Sequence, residues 1–264
     1  MLFENLERRV YDWMEEAGRV VEKIGTPELP CALADGLRQV APFDFTVVFG
    51  HVGTEAPIDL HDDFPKSKRR IFVEDYQAGP YVLDPFFLAA TKPITPGLYR
   101  MRDIAPDRFY QGEYYRSYYK RTGLAEEIGY FIDIPGAGMV VVSLMRAEKP
   151  FSAKEIRHLH ALWPLVRAAC CKHWSDFPTM TRGAAANGVS RRVDLAFQAF
   201  GDGVLTPRER EVVEFTLKGH SAEAVGTILG ISPGTVRIHR RNIYAKLRIN
   251  SQGELFSKFI EKAL

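Results

Sequence analysis

Segment 204–264 spells out four capped helices in succession, a pattern that few folds other than a compact helical module accommodate. Thr206-Pro207-Arg208-Glu209 is a capping box with proline at the first helical position: the threonine hydroxyl accepts the Glu209 amide, and the Glu209 carboxylate reaches back to the cap amide. The helix it opens carries Val212, Val213, Phe215 and Thr216 at near-helical spacing, and Gly219 can take the left-handed conformation that closes it. Ser221 caps a second helix, with Val225, Ile228 and Leu229 on one face and Gly230 as its stop. The turn is so short that the next helix, opened by Ser232-Pro233, must cross steeply. On the wheel of that third helix Val236, Ile243 and Leu247 form a core stripe, whereas Arg237, Arg241, Tyr244 and Arg248 share a basic, aromatic face directed at solvent. Ser251 with Glu254 repeats the capping box for a fourth helix, apolar along Leu255, Phe256, Phe259 and Ile260.

Two helices around a tight glycine turn, the second bearing an arginine row, match the DNA major groove: the helix fits its width, guanidinium forks match guanine edges, and the other cations meet phosphates. A charge run alone would read better as a solvated face of an ordinary bundle; four capped helices in this order favour DNA. Leu205-Thr206-Pro207-Arg208-Glu209, Gly219-His220-Ser221, Leu229-Gly230-Ile231-Ser232, Thr235-Val236, His239, Ile243, Lys246-Leu247 and Ser251 together resemble the C-terminal domain of LuxR-type transcriptional regulators. Departures are Val225-Gly226, where that family usually has isoleucine-alanine, and Gln252-Gly253, where arginine is common. A glycine inside the second helix should cost about 1 kcal/mol relative to alanine. Wheel and resemblance together assign the DNA contact to Ser232, Thr235, Arg237, Ile238, His239, Arg240, Arg241, Tyr244, Lys246 and Arg248. Arg237 and Arg241 are expected on base edges; Thr235, His239 and Lys246 lie where the family pattern implies backbone contacts or local packing.

Charge is distributed to match. Residues 204–264 hold 10 Lys/Arg against 6 Asp/Glu, and residues 1–175 hold 22 against 24. Three cysteines, two of them adjacent as Cys170-Cys171, cannot build a disulfide framework. The N-terminus lacks the layout of a secretion signal, and no apolar run approaches the length of a membrane span, so the expected compartment is the cytoplasm.

The remaining chain predicts an amphipathic helix over 1–24, with Leu2, Leu6, Val10, Trp13, Met14, Ala17 and Val21 on its apolar side. A second helix is expected over 30–40, a strand over 43–51, a polar loop over 59–68 and a short strand over 98–101. A tyrosine-loaded helix follows over 109–121, then a hairpin of 128–134 and 139–146 around Pro135-Gly136-Ala137-Gly138, and one long closing helix over 152–174 with Ser152 and Glu155 as its capping box. This order suggests an α+β chain: an N-terminal α/β/α sandwich with an antiparallel sheet, of the PAS and GAF kind, followed by the four-helix helix-turn-helix module. The expected division is a small-molecule-sensing domain over 1–175, a linker over 176–203 with 193–200 as a short helix or docking segment, and a DNA-binding domain over 204–264.

Catalytic chemistry finds little support. Gly136-x-Gly138 leads into a strand and reads as a turn, not a phosphate cradle; His158 and His160 face apart on a helix and do not form a metal site; there is no serine elbow and no paired-carboxylate motif. No enzyme activity, cofactor or metal is expected. The aromatic patch over 69–88 can be core or pocket. The run Phe72, Tyr76 and Asp84-Pro85 loosely resembles the tryptophan, tyrosine and aspartate-proline signature of acyl-homoserine-lactone sensor domains, with Phe72 where that family carries the tryptophan whose indole N–H bonds the lactone. The ligand set expected is Phe72, Tyr76, Tyr81, Asp84, Phe86 and Tyr118, around an amine or an acyl-lactone-like molecule. Asp84 can also simply cap the helix starting at Pro85. The combined reading is a homodimeric, DNA-binding transcription regulator on an inverted-repeat operator, controlled by a small molecule, with Leu255, Phe256 and Phe259 as part of the dimer contact. Its alternatives are a ligand-independent DNA-binding regulator and an interaction protein that sequesters a partner regulator.

Overall fold

The computed structural model describes residues 13–53, 55–175, 197 and 199–263. Five antiparallel strands form one sheet in the order β2-β1-β5-β4-β3: β1 Phe45–His51, β2 Ile58–Asp62, β3 Gly97–Arg100, β4 Glu126–Ile134 and β5 Gly138–Arg146. The two longest strands pair through the hairpin read from the sequence, with Ile128 opposite Leu144 and Phe131 opposite Val141. Period-2 alternation sends Val48, Ile128, Tyr130, Ile132, Val140, Val142 and Leu144 to one face and Val47, Phe49, Phe131, Val141 and Met145 to the other. The sheet is buried on both sides, which makes a three-layer sandwich.

The first face is covered by α1 (residues 13–22), α2 (Leu29–Val40), α5 (Ala153–Ala161) and α6 (Trp163–His173). Leu29, Leu33, Leu37, Leu159, Val166 and Cys170 pack there, and the Tyr130 hydroxyl donates to the Leu159 carbonyl at 2.8 Å. Ser152 and Glu155 form the predicted capping box, but the closing helix is two helices: Pro164, lacking an N–H, opens the second just after Leu162. In α1, Val20 is buried whereas Met14 and Val21 are 63% and 55% exposed, so the inward face is rotated from the one predicted. Of the segment 1–24 predicted as a helix, residues 1–12 lie outside the described residues.

The second face carries the aromatic layer. Residues 66–83 wind through short helical turns into α3 (Pro85–Ala90), and 109–122 is broken where one helix was expected: a 3-10 turn Phe109–Gln111, α4 (Glu113–Ser117) and a second 3-10 turn Tyr119–Thr122. Gly112, extended at φ −73 and ψ 162, interrupts the first turn. The expected loop over 59–68 also contains structure: Ile58–Asp62 is an edge strand whose five residues are all half-buried, so it lacks the alternation that marks a strand. Of the predicted segment 193–200, residues 197, 199 and 200 are described.

The C-terminal helices are α7 (Pro207–Leu217), α8 (Ala222–Leu229), α9 (Pro233–Leu247) and α10 (Gln252–Ala263). Thr206, Ser221 and Ser232 each cap the helix that follows, and Gly230 ends α8 in the left-handed region at φ 66. Val212, Val213, Val225, Val236, Ile243, Leu255 and Phe259 make the module's core. Ile228, expected on the apolar face of α8, is 48% exposed. Gly226 is not a helix defect: a Cβ there would lie 2.7 Å from the Ile231 carbonyl oxygen, so the short turn to α9 passes where a side chain would stand.

Candidate functional site

Beneath the aromatic layer lies a narrow cavity of about 480 Å³ of space between atoms, mouth included. Five of the six predicted ligand residues line it: Phe72, Tyr76, Asp84, Phe86 and Tyr118. Tyr81 does not. It is buried on the 3-10 turn Pro80–Leu83, in edge-to-face contact with Tyr76 and Phe87. The wall also contains residues that the sequence reading passed over, among them Tyr114, Tyr119, Glu127, Ser143 and His51. The signal for Glu127 and Ser143 was the strand alternation, which places both on the same face as Phe131 and Val141.

Asp84 caps α3 and also lines the cavity. Oδ1 accepts the Phe86 amide at 2.9 Å as the cap of α3, and Oδ2 accepts the Tyr76 hydroxyl at 2.6 Å on the cavity wall. Burial pushes its carboxyl up, to about 6, against the lowering effect of those donors. Burial raises Glu127 further, to about 8, and the nearby charge of Asp84 adds to it; the hydroxyls of Ser143 and Tyr119 are its hydrogen-bond partners. Burial depresses His51 to about 3, which leaves a neutral imidazole, and its Nδ1 has no hydrogen-bond partner among the described residues. His51 also borders a second hollow at the end of the sheet, about 730 Å³ with its open mouth included and flanked by Lys92 and Asp133.

In the helical module, the exposed residues of α9 are Gly234, Arg237, Ile238, Arg241, Asn242, Ala245 and Lys246. Arg237 is paired with Glu223 of α8 at 2.5 Å, both side chains more than half exposed, an ion pair weak enough to exchange for another partner. Other residues of the predicted contact set turn elsewhere. Arg240 folds inward, donating to Thr216 Oγ1 and the His220 carbonyl, each at 3.1 Å. Lys246 meets the buried Glu209 at 2.7 Å, and Tyr244 is half-buried against the core. Arg248 ends the helix in the left-handed region at φ 53, so it does not continue the Arg237–Arg241 face. Ser232 and Thr235 form the cap, their hydroxyls 2.8 Å apart, and His239 is half-buried. Asn242 and Ala245, absent from the predicted set, follow from 3.6-residue spacing once Arg237 and Arg241 define the face.

A seam joins cavity wall and module. The Arg108 amide donates to the Gly219 carbonyl at 3.0 Å, and the Ser221 amide, at the start of α8, donates to Asp107 Oδ1 at 3.0 Å. Gly219 has φ 95, and a Cβ on it would lie 3.0 Å from the Phe109 backbone, so both conformation and approach require glycine. Phe109 in turn packs against Tyr114 and Tyr119, whose rings line the cavity. Glu113, beside Tyr114 on α4, sits against Gly253 of α10. Leu255 and Phe259, expected at a dimer contact, are buried inside the chain instead, where Phe259 stacks on Phe197.

No described helix is long and apolar enough to cross a membrane. A family model for bacterial regulatory proteins, luxR family, matches residues 203–259. The chain is 32% identical over 183 residues to an HTH-type transcriptional regulator from the exeN 3′ region of Aeromonas salmonicida, covering 67% of this chain and 93% of that relative. It is 32% identical over 120 residues to the monoamine regulon transcriptional regulator of Klebsiella aerogenes, covering 44% of this chain and 42% of that one. Among solved structures it is similar to the VqsR LBD domain from Pseudomonas aeruginosa, with TM-score 0.55 and 26% identity over 63% of this chain and 98% of that domain.

Proposed function

The chain belongs to the luxR family of bacterial regulatory proteins, whose members matched here are transcriptional regulators and not enzymes, and from that premise we propose that a small molecule in the cavity under the sheet controls its binding to an operator. The observation that carries this reading is the shared wall. Tyr114 and Tyr119 line the cavity, and the same short segment reaches the helical module through Phe109 and Glu113. A narrow cavity makes the coupling stronger: a ligand can enter only by displacing these rings, and ring displacement moves the surface on which Gly219 and Gly253 rest. The effector is a small polar molecule, an amine or an acyl-lactone-like compound. The division into a sensing domain over 1–175, a linker over 176–203 and a DNA-binding domain over 204–264 belongs to this proposal, as does the cytoplasm as its place of action.

On DNA, α9 enters the major groove with its exposed stripe. Arg237 and Arg241, one turn apart, read base edges, and the exposed Ile238 between them meets a thymine methyl. One such helix covers only a few base pairs, so two copies of the chain on an inverted repeat are expected. Selection of binding sites from random duplexes tests this: a recovered inverted repeat is the expected result. On the selected operator, Arg241→Ala should lose about 1–3 kcal/mol and on random DNA much less. Equal losses on both would place Arg241 on phosphates, and no operator preference in the intact chain would refute DNA reading by α9.

A further inference from the structure

We propose that the cavity takes a cationic ligand, a primary ammonium on a short apolar or aromatic stem, held between the carboxylates of Asp84 and Glu127; the proposal rests on the ligand-controlled reading given above. The reason lies in a contrast between two adjacent glutamates. Glu126 and Glu127 open β4 and point to opposite faces of the sheet. Glu126 is fully matched: Arg100 grips it with Nε and Nη2 at 2.7 and 2.8 Å, and the Phe151 amide donates at 2.6 Å. Glu127, 7% exposed, has only neutral hydroxyls, and the second buried carboxylate, Asp84, lines the same cavity. Neither lysine nor arginine is among the residues lining it.

Buried carboxylates without a cation are costly to ionise, and a core selected only for packing would place apolar side chains there. An ammonium ion supplies what this wall lacks, three N–H donors and a positive charge. His51 Nδ1, buried and without a partner, offers a third, neutral acceptor on the wall. The rings of Tyr76 and Tyr118 supply faces to which a cation and an aromatic stem are both attracted, whereas Phe72 is stacked on Phe64 and has Lys68 over its ring. A neutral lactone brings no charge that would favour ionising Glu127 or Asp84, and Phe72 has no donor for it.

Charge compensation has a second consequence. The groups around Glu127 are the carboxyl of Asp84, the hydroxyls of Tyr119 and Ser143 that bond it, and the phenols of Tyr76, Tyr110, Tyr114 and Tyr118, all acidic or neutral, so near neutrality it retains its proton. Binding of an ammonium between the pair then expels that proton to solvent. Apparent affinity should rise toward about tenfold per pH unit below about 8, where Glu127 is protonated.

The test uses the full chain with three probes: phenethylamine, its uncharged isostere 2-phenylethanol, and hexanoyl-homoserine lactone. Calorimetry and thermal melting should show phenethylamine binding at least about tenfold more tightly than the alcohol. Glu127→Gln, which retains the shape, should weaken the amine by a similar factor and leave the alcohol unchanged. If that variant does not fold, the wild-type chain still decides: calorimetry in buffers of different ionisation heat should show up to one proton released with the amine and none with the alcohol. Equal binding of amine and alcohol, amine binding without proton release, or response to the lactone alone each overturns the cationic assignment, as does silence toward all three. The broader reading fails differently: a ligand of any kind that raises the melting temperature yet leaves operator affinity unchanged.

Discussion

A carboxyl group held above its ordinary range makes a folded protein sensitive to base. The folded chain keeps the Glu127 proton up to about 8, and the unfolded chain releases it near 4.5, so over that window the native state binds more protons and stability falls as pH rises. Asp84 adds to the lower part of the window, up to about 6. Wild-type stability, and the melting temperature with it, should therefore decline from pH 5 to pH 8, and Glu127→Gln should reduce that loss of stability by an amount on the order of a few kcal/mol. A variant with the wild-type slope would place the titrating group elsewhere. Asp84 was legible in the sequence because aspartate before proline is a helix-cap signature that local chemistry dictates. Glu127 was not. A glutamate at the start of a strand can face solvent, a cation or a cavity, and only the register of β4 against β5 decides among them. Tyr81 failed for the related reason that proximity in sequence to Asp84 says nothing about the direction a 3-10 turn gives a side chain.

The elements of the helical module were legible almost residue by residue, because each helix announces its start with a hydroxyl cap and α8 ends on a left-handed glycine. What sequence could not weigh was close approach. Helix propensity alone expects Gly226→Ala to stabilise the chain by about 1 kcal/mol. The Ile231 carbonyl in the way of that Cβ reverses the sign: urea denaturation should show the variant destabilised by about 1 kcal/mol or more. A more stable variant would mean that the turn yields freely. Around the sheet the breaks at Gly112 and Pro164 were hidden by continuous helical periodicity on either side, and the edge strand β2 was hidden by its polar, half-buried composition. The hairpin of β4 and β5, long and apolar on both faces, was plain from composition and the Pro-Gly turn alone.

At the scale of the whole molecule, the cavity and α9 belong to one packed body joined at a small polar seam. Burial opposes ionisation of Asp107, but hydrogen bonds from Ser221 outweigh it and hold that carboxyl below its usual range. Asp107→Ala removes this acceptor from the start of α8 and touches neither the cavity wall nor the exposed stripe of α9. It should leave phenethylamine affinity within about twofold, since it makes no contact there, and lower the coupling between amine and operator toward none. Intact coupling in that variant would shift the connection to Glu113 and α10. Control of operator binding from the cavity is a reciprocal quantity. Operator affinity of the full chain is measured with and without saturating phenethylamine, and amine affinity with and without saturating operator. The two factors should be equal and at least about fivefold, as linkage between coupled sites requires; an amine that binds while both factors stay at unity would contradict control of DNA binding from this cavity.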